Sequence, residues 1–91
     1  MLAGNLYDKI VYSKDMVELG KVKNFEINPD GMKVTHFILK LENDAAKQLL
    51  GKRPRLRQAK VRVKTENIEN IKDAIILGQS VEELKGTIDE L

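Results

Sequence analysis

One stretch of the chain, Glu18 to Leu41, constrains the fold more than any other because it has the pattern of two strands joined by a tight turn. The turn sequence is Asn28-Pro29-Asp30-Gly31. Proline presets the φ angle of the first central position, aspartate tolerates the second, and glycine suits the end of the turn. The two strands are therefore predicted to be antiparallel neighbours.

The first strand of this hairpin loses its alternation near Lys23-Asn24. Val22 is out of phase with Phe25 and Ile27, and one extra residue would bring all three onto a common apolar face. The pattern therefore predicts a β-bulge at Lys23-Asn24.

The second strand carries apolar residues on both faces. Phe37, Leu39 and Leu41 share one face, whereas Val34 and Ile38 are expected to share the other with His36. A small β-structure has only one interior, so this second face needs cover from a helix or from another subunit. Exposed apolar patches are usually interfaces. We therefore expect a homodimer with Val34 and Ile38 at its interface.

The remaining elements are short. Gly20 is predicted to lie where two backbones approach closely. A helix is predicted over 44–50, with Asn43 as its cap and Gly51 at its end. Strands are predicted over 59–64 and 73–77, and Ser80 with Glu83 forms the capping-box pattern of a final helix.

Charge is distributed unevenly along the chain although the net charge is only +2. Residues 45–64 carry eight Lys or Arg and no acid, whereas residues 65–91 carry two Lys and seven acids. The basic block is expected to be either a solvated protective face or a docking patch for an anionic partner. Its candidate partner-binding residues are Lys52, Arg53, Arg55, Arg57, Lys60, Arg62 and Lys64. No aromatic residue lies among them, so nucleic-acid binding is expected to be weak and unspecific.

The residue types needed for common catalytic and metal sites are missing. The chain has no cysteine and a single histidine, His36, which excludes thiol catalysis, cysteine zinc sites and histidine-rich ligand sets. Phosphate-binding and nucleophile motifs are also missing. We expect no catalytic residue, no metal and no cofactor.

Length and hydropathy indicate one domain spanning residues 1–91. No segment approaches the apolar length of a membrane span, and the N-terminus lacks the pattern of a signal peptide. We therefore expect a cytoplasmic protein.

In their order and spacing, several short motifs resemble the PRC-barrel family, in particular its stand-alone archaeal members. The resemblance covers nearly the whole chain and rests on these segments: Ile10-Val11-Tyr12-Ser13, Leu19-Gly20-Lys21-Val22, Phe25-Glu26-Ile27, Val34-Thr35-His36-Phe37-Ile38, Val61-Arg62-Val63 and Ile75-Ile76-Leu77. Two positions depart from the family pattern. Met16 stands where the family usually has a turn glycine, and Lys64 stands where proline is common.

The resemblance implies a small, strongly bent antiparallel β-barrel. Together with the helices predicted above, the expected fold is mainly β, with one short helix after the central hairpin and a short C-terminal helix. It carries over no catalytic residues. Relatives act as assembly modules in photosynthetic reaction centres, in ribosome maturation and in archaeal cell division. The leading expectation is thus a non-enzymatic, homodimeric adaptor for an unidentified protein partner. The alternative is an RNA- or ribosome-associated factor that uses the basic segment 52–64.

Overall fold

The computed structural model describes residues 3–51 and 59–91, which form a seven-stranded sheet and two short α-helices. A 3-10 helix over Ala3–Leu6 precedes the first strand, and a second one over Thr65–Asn67 joins the fourth and fifth strands. The strands are β1 (Ile10–Tyr12), β2 (Glu18–Asn28), β3 (Lys33–Leu41), β4 (Lys60–Lys64), β5 (Ile68–Ile71), β6 (Ile75–Leu77) and β7 (Asp89–Glu90). The helices are α1 (Asn43–Leu50) and α2 (Val81–Leu84). The expected mainly-β fold with two short helices is confirmed.

The sheet is mixed, with the strand order β5-β6-β1-β2-β3-β4-β7. Strands β1 and β6 run parallel, with Val11 opposite Ile75, and every other pair is antiparallel. The prediction of a wholly antiparallel sheet is therefore wrong. The parallel pair arises because the β5–β6 hairpin returns to the free edge of β1 instead of pairing with β4, its predecessor in sequence.

The short connection between β4 and β5 requires the sheet to curl. These two strands are five positions apart in the sheet order, which would separate them by about 24 Å in a flat sheet. Only the three residues Thr65–Asn67 join them, and four residue steps span at most about 14 Å. The sheet must therefore bend round so that β4 and β5 approach one another. No pairing between described strands closes it into a barrel.

The central hairpin contains the predicted bulge and a second one. Val22 lies opposite Leu39 and Asn24 lies opposite Ile38, so Lys23 is the extra residue and the predicted bulge is confirmed. A second shift leaves Thr35 unpaired between His36 and Val34 in β3. The turn occupies residues 29–32, one residue further than the sequence pattern indicated.

Gly20 lies at a close crossing of β2 and β3. A Cβ atom at this position would overlap the carbonyl oxygen of Lys40 and lie 2.8 Å from its carbonyl carbon. The φ angle of 155° also disfavours other residues. The prediction that Gly20 marks a close backbone approach is confirmed.

The core lies on the concave side of the sheet, where the inward residues of the strands meet the two helices. Phe37, Leu39 and Leu41 on β3 are fully buried, as are Val61 and Val63 on β4. The helices close one end of this core with small and branched residues, namely Ala45, Ala46, Leu49, Val81 and Leu84.

The two helices begin differently. In α2 the Ser80 hydroxyl accepts a hydrogen bond from the Glu83 backbone N–H, and the Glu83 carboxylate accepts one from the Ser80 N–H, so the predicted capping box is confirmed. This arrangement lowers the pKa of Glu83. In α1 the N-cap is Glu42 and not Asn43, which is already helical, while Gly51 ends the helix in the left-handed conformation as predicted.

The acidic C-terminus folds back on its own chain. Asp89 lies opposite Arg62, Glu90 lies opposite Val61, and the Leu91 N–H donates to the Lys60 carbonyl at 2.9 Å. Strand β7 thereby covers the outer edge of β4. Among the described residues, the helices are too short and too polar to cross a membrane.

Candidate interaction groove

An open apolar groove of about 560 Å³ lies on the concave side of the curled sheet, between the β2–β3 hairpin and β5. Its floor includes Phe37 and Ile75, which belong to the buried core. Nine of its eleven described lining residues are apolar or aromatic, and none of the eleven is charged. The lining consists of Leu6, Tyr7, Asn24, Phe25, Ile27, Val34, Phe37, Thr65, Ile68, Ile71 and Ile75.

The aromatic wall of the groove comes from two distant parts of the sequence. The rings of Tyr7 and Phe25 pack edge to face, with centroids 5.3 Å apart and planes at 75°. Aromatic pairs of this geometry contribute about 0.5–1.5 kcal/mol of stability in addition to the contribution from their buried area. Asp8 follows Tyr7 with a positive φ of 63° and forms an ion pair with Lys23, the extra residue of the first bulge. The hydrogen bond and charge of Lys23 lower the pKa of Asp8. This contact helps to hold Tyr7 against Phe25.

The second bulge places Val34 in the groove. Because Thr35 is an extra residue, the alternation of β3 reverses there, and Val34 lies opposite Ile27 on the same face as Phe37. The Thr65 hydroxyl fixes this irregular backbone by donating to the carbonyls of Val34 and Thr35 at 3.1 and 3.2 Å. Val34 and Ile38 therefore lie on opposite faces, and the expectation that they share one is wrong.

Several large apolar side chains remain exposed at this groove. Tyr7, Ile27 and Val34 are 47, 52 and 42% exposed, and Met32 at the neighbouring hairpin tip is 73% exposed. Monomeric proteins rarely leave such side chains clustered round a concavity without a partner. The sequence pattern identified Val34 as a site residue but missed the other groove residues. They come together in space only because the sheet curls and because the alternation of β3 reverses at Thr35.

Ile38, the second residue predicted at a dimer interface, is only 8% exposed. It lies on the convex face of β3, opposite Arg62 on one side and Asn24 on the other. Arg62 on β4 and Glu26 on β2 form an ion pair that reaches across β3, and the contacting atoms are shielded from solvent. With so little of its side chain exposed, Ile38 offers little surface to a second subunit.

The predicted basic patch is only partly within the described residues. Lys52, Arg53, Arg55 and Arg57 lie outside them. Lys60 and Lys64 are exposed on β4, and the Arg62 side chain between them is engaged with Glu26. Lys64 stands opposite His36, whose Nδ1 lies 3.7 Å from Glu26 Oε1. The described charges at this end of the convex face are therefore close to balance.

Comparisons with known proteins give no assignment of family or relative. No protein-family model matches the chain, and no match to a curated protein was found.

Proposed function

We propose that this chain is a non-enzymatic protein-interaction module of the PRC-barrel type, which forms a homodimer through the apolar groove. The main observation in support of the proposal is the open groove, with Ile27 and Val34 about half exposed at its rim and Phe37 at its floor. Burying a side chain of this kind contributes about 1.5–3 kcal/mol, so a partner that fills the groove gains substantially.

A second copy is favoured as the occupant because the groove and a protruding apolar residue border one another. The hairpin that forms one wall ends at Met32, two residues from Val34. In a two-fold dimer the same patch must supply both the concave and the convex surface. A groove next to an exposed hairpin tip meets this requirement, and the described lining residues carry no charge that would cause repulsion between copies.

Two features support the resemblance to the PRC-barrel family. The sheet is strongly curled, with only three residues between β4 and β5, and further curvature would close it into a barrel. Met16 has a φ of 62°, so it takes the left-handed conformation at the position where the family usually has glycine. We extend the proposal to a cytoplasmic adaptor of archaeal type, of the class that serves assemblies such as the cell-division machinery.

The alternative function, RNA or ribosome association through segment 52–64, has less support. Arg62 is held by Glu26, and Lys64 lies in the balanced part of the convex face. The aromatic residues of the groove, Tyr7 and Phe25, are not interleaved with the basic residues of the segment. Stacking of bases needs such interleaving.

Light scattering coupled to size-exclusion chromatography tests the proposal. The wild-type chain is expected to have the mass of a dimer at micromolar concentration, and Ile27→Asp and Val34→Asp are expected to be monomers because each places a charge in the buried interface. Both sites are half exposed in the isolated chain, so the circular-dichroism spectrum should be retained.

Met16→Asp is the matched control, because Met16 is 60% exposed and does not line the groove. This variant should remain dimeric. A wild-type chain that is monomeric at every accessible concentration would refute the homodimer. Dimers that survive both Ile27→Asp and Val34→Asp would show that the interface lies elsewhere.

A further inference from the structure

Three lysines that are far apart in sequence stand in one row across the convex face of the sheet. Lys21 on β2 lies directly opposite Lys40 on β3, and Lys40 lies directly opposite Lys60 on β4. Residues in such positions have Cβ atoms about 4.5–5.5 Å apart and project from the same face. Lys40 lies between the buried Leu39 and Leu41, so this face is the one opposite the core. We refer to Lys21, Lys40 and Lys60 as the lysine row.

Like charges directly opposite one another destabilise a sheet, so the lysine row has an energetic cost. None of its three amines forms an ion pair with a residue in the ranges 3–51 and 59–91. Glu18 and Glu42 border the shallow depression beside Lys21 and Lys40 without an ion pair to either. Asp8 lies close enough for the charges of Lys21 and Lys40 to lower its pKa, although Lys23 has the larger effect.

The next two rows of the convex face contain acids as well as basic residues, whereas the lysine row contains basic residues alone. The next row contains Asn24, Ile38 and Arg62, with Asp89 of β7 opposite Arg62. The row after that contains Glu26, His36 and Lys64. In both rows an acid lies beside the basic residues. Of these three described rows, the one where β2 begins and β3 ends is thus the one without an acid in its register, although Glu18, Glu42 and Asp8 lie near it.

We propose that the lysine row is a docking site for an acidic α-helix of a partner protein. The spacing supports a helix because carboxylates at positions i, i+3 or i+4, and i+7 share one face, with about 5–6 Å between neighbouring Cβ atoms. Such a stripe extends over about 10 Å, which is also the extent of the row. Carboxylates in this pattern would each meet one amine and remove the repulsion among the three lysines.

This inference rests on the proposed role as a protein-interaction module and gives the chemistry of its second partner. The groove lies on the concave face near the hairpin tip, whereas the lysine row lies on the convex face at the other end of the hairpin. A dimer formed through the groove would leave the row accessible. The two surfaces together would allow the domain to join copies of itself to another protein.

Two synthetic helical peptides of identical composition provide the probe. One has three Glu at i, i+4 and i+7 in an Ala/Gln background of about 15 residues, and the other distributes the same Glu residues round the helix. Titration followed by amide chemical shifts at low salt is expected to show about tenfold tighter binding of the striped peptide, with shifts centred on the lysine row.

Charge reversal locates the contact. Lys40→Glu is expected to remove the preference for the striped peptide. Lys21→Glu should weaken binding of the striped peptide and so reduce the same preference. Lys72→Glu is the matched control, since Lys72 is exposed beyond β5 and outside the row. It changes the net charge equally and should leave the preference intact.

Three outcomes would overturn the inference. One is equal affinity for the two peptides, and another is an unchanged preference in Lys40→Glu. The third is tighter binding of an oligouridylate of equal charge than of the striped peptide, which would assign the row to a phosphate backbone. Because Ile27→Asp changes the groove and not the row, this variant should still prefer the striped peptide. Failure of the homodimer is therefore separable from failure of the lysine row.

Discussion

At the scale of single residues, Met16 in the turn after β1 is one of the non-glycine residues under backbone strain. Met16 has a φ of 62°, its side chain is 60% exposed, and its N–H donates to the Ser13 carbonyl at 2.9 Å. The left-handed conformation costs a residue with a Cβ atom about 1–2 kcal/mol.

We expect Met16→Gly to stabilise the protein by about 0.5–1 kcal/mol, because relief of this strain outweighs the greater chain entropy of glycine in the unfolded state. Urea denaturation monitored by circular dichroism measures the change. Met16→Ala is the control, since it removes the exposed side chain but keeps the Cβ atom, and its stability should be close to that of the wild type. A glycine variant no more stable than the alanine variant would contradict the explanation.

A second residue-scale feature is the buried Ser13, which links β1 to the start of β2 and to α2. Its hydroxyl donates to Asp15 Oδ1 and accepts from the Val17 N–H at 3.0 Å, and Asp15 also accepts from the Val81 N–H at 3.4 Å. Ser13 is the one polar residue among those described that is fully buried. The hydrogen bond from Ser13 is the main cause of the lowered pKa of Asp15.

This lowered pKa predicts a loss of stability in acid. Because the folded state holds the pKa of Asp15 below its ordinary value of 3.8, the stabilisation is present above that value and disappears as the pH falls through the folded-state pKa. Asp15→Asn should therefore lower the urea midpoint at neutral pH, and the difference from wild type should shrink near pH 2. Asp73→Asn, in an exposed turn, is the control. A difference that is constant with pH would show that the charge of Asp15 is unimportant.

At the scale of elements, the sequence pattern predicted well wherever the signal was local. The bulge at Lys23, the close approach at Gly20, the left-handed Gly51 and the capping box of Ser80 and Glu83 each depend on neighbouring residues and on known backbone preferences. The N-cap of α1 was displaced by one residue because Glu42 already has the extended conformation of a cap, with its N–H donated to the Leu19 carbonyl.

The candidate site was predicted less well because its geometry depends on irregularity in β3. The strict alternation of Val34, His36 and Ile38 assigns them to one face, but the extra residue Thr35 reverses Val34. The hydroxyl that holds this bulge comes from Thr65, thirty residues away, so the local sequence of β3 contains no signal for it. The burial of Ile38 and the ion pair between Glu26 and Arg62 across β3 likewise have no local signal in the sequence of β3.

At the scale of the whole molecule, the curled sheet separates two surfaces of different chemistry. The concave side carries the apolar groove with Tyr7, Phe25 and Phe37, and the convex side carries the charged rows of β2, β3 and β4. The parallel pairing of β6 with β1 produces this arrangement because it brings β5 towards the hairpin and leaves the groove between them. No local pattern in the sequence indicates that β6 pairs with β1.

This separation predicts that RNA binding is weak, unspecific and strongly dependent on salt. Among the described residues, the lysine row and the neighbouring basic residues of β4 lie on the convex face, whereas three of the four Phe and Tyr rings of the chain line the groove on the other side. The described basic residues therefore have no aromatic stacking platform beside them, and their contribution to affinity comes from charge neutralisation. We expect dissociation constants in the range of about 1–100 µM at physiological salt, with little difference among oligo-U, oligo-A and a mixed sequence.

Fluorescence anisotropy with these three oligonucleotides, repeated over a range of salt concentrations, measures both affinity and its salt dependence. The logarithm of the association constant should fall steeply with the logarithm of the salt concentration, and Lys40→Glu should reduce that slope because one phosphate contact is lost. Lys72→Glu again serves as the charge-matched control. Nanomolar and sequence-selective binding at about 150 mM salt would favour the ribosome-associated alternative instead, since neutralisation of a few phosphates cannot produce selectivity.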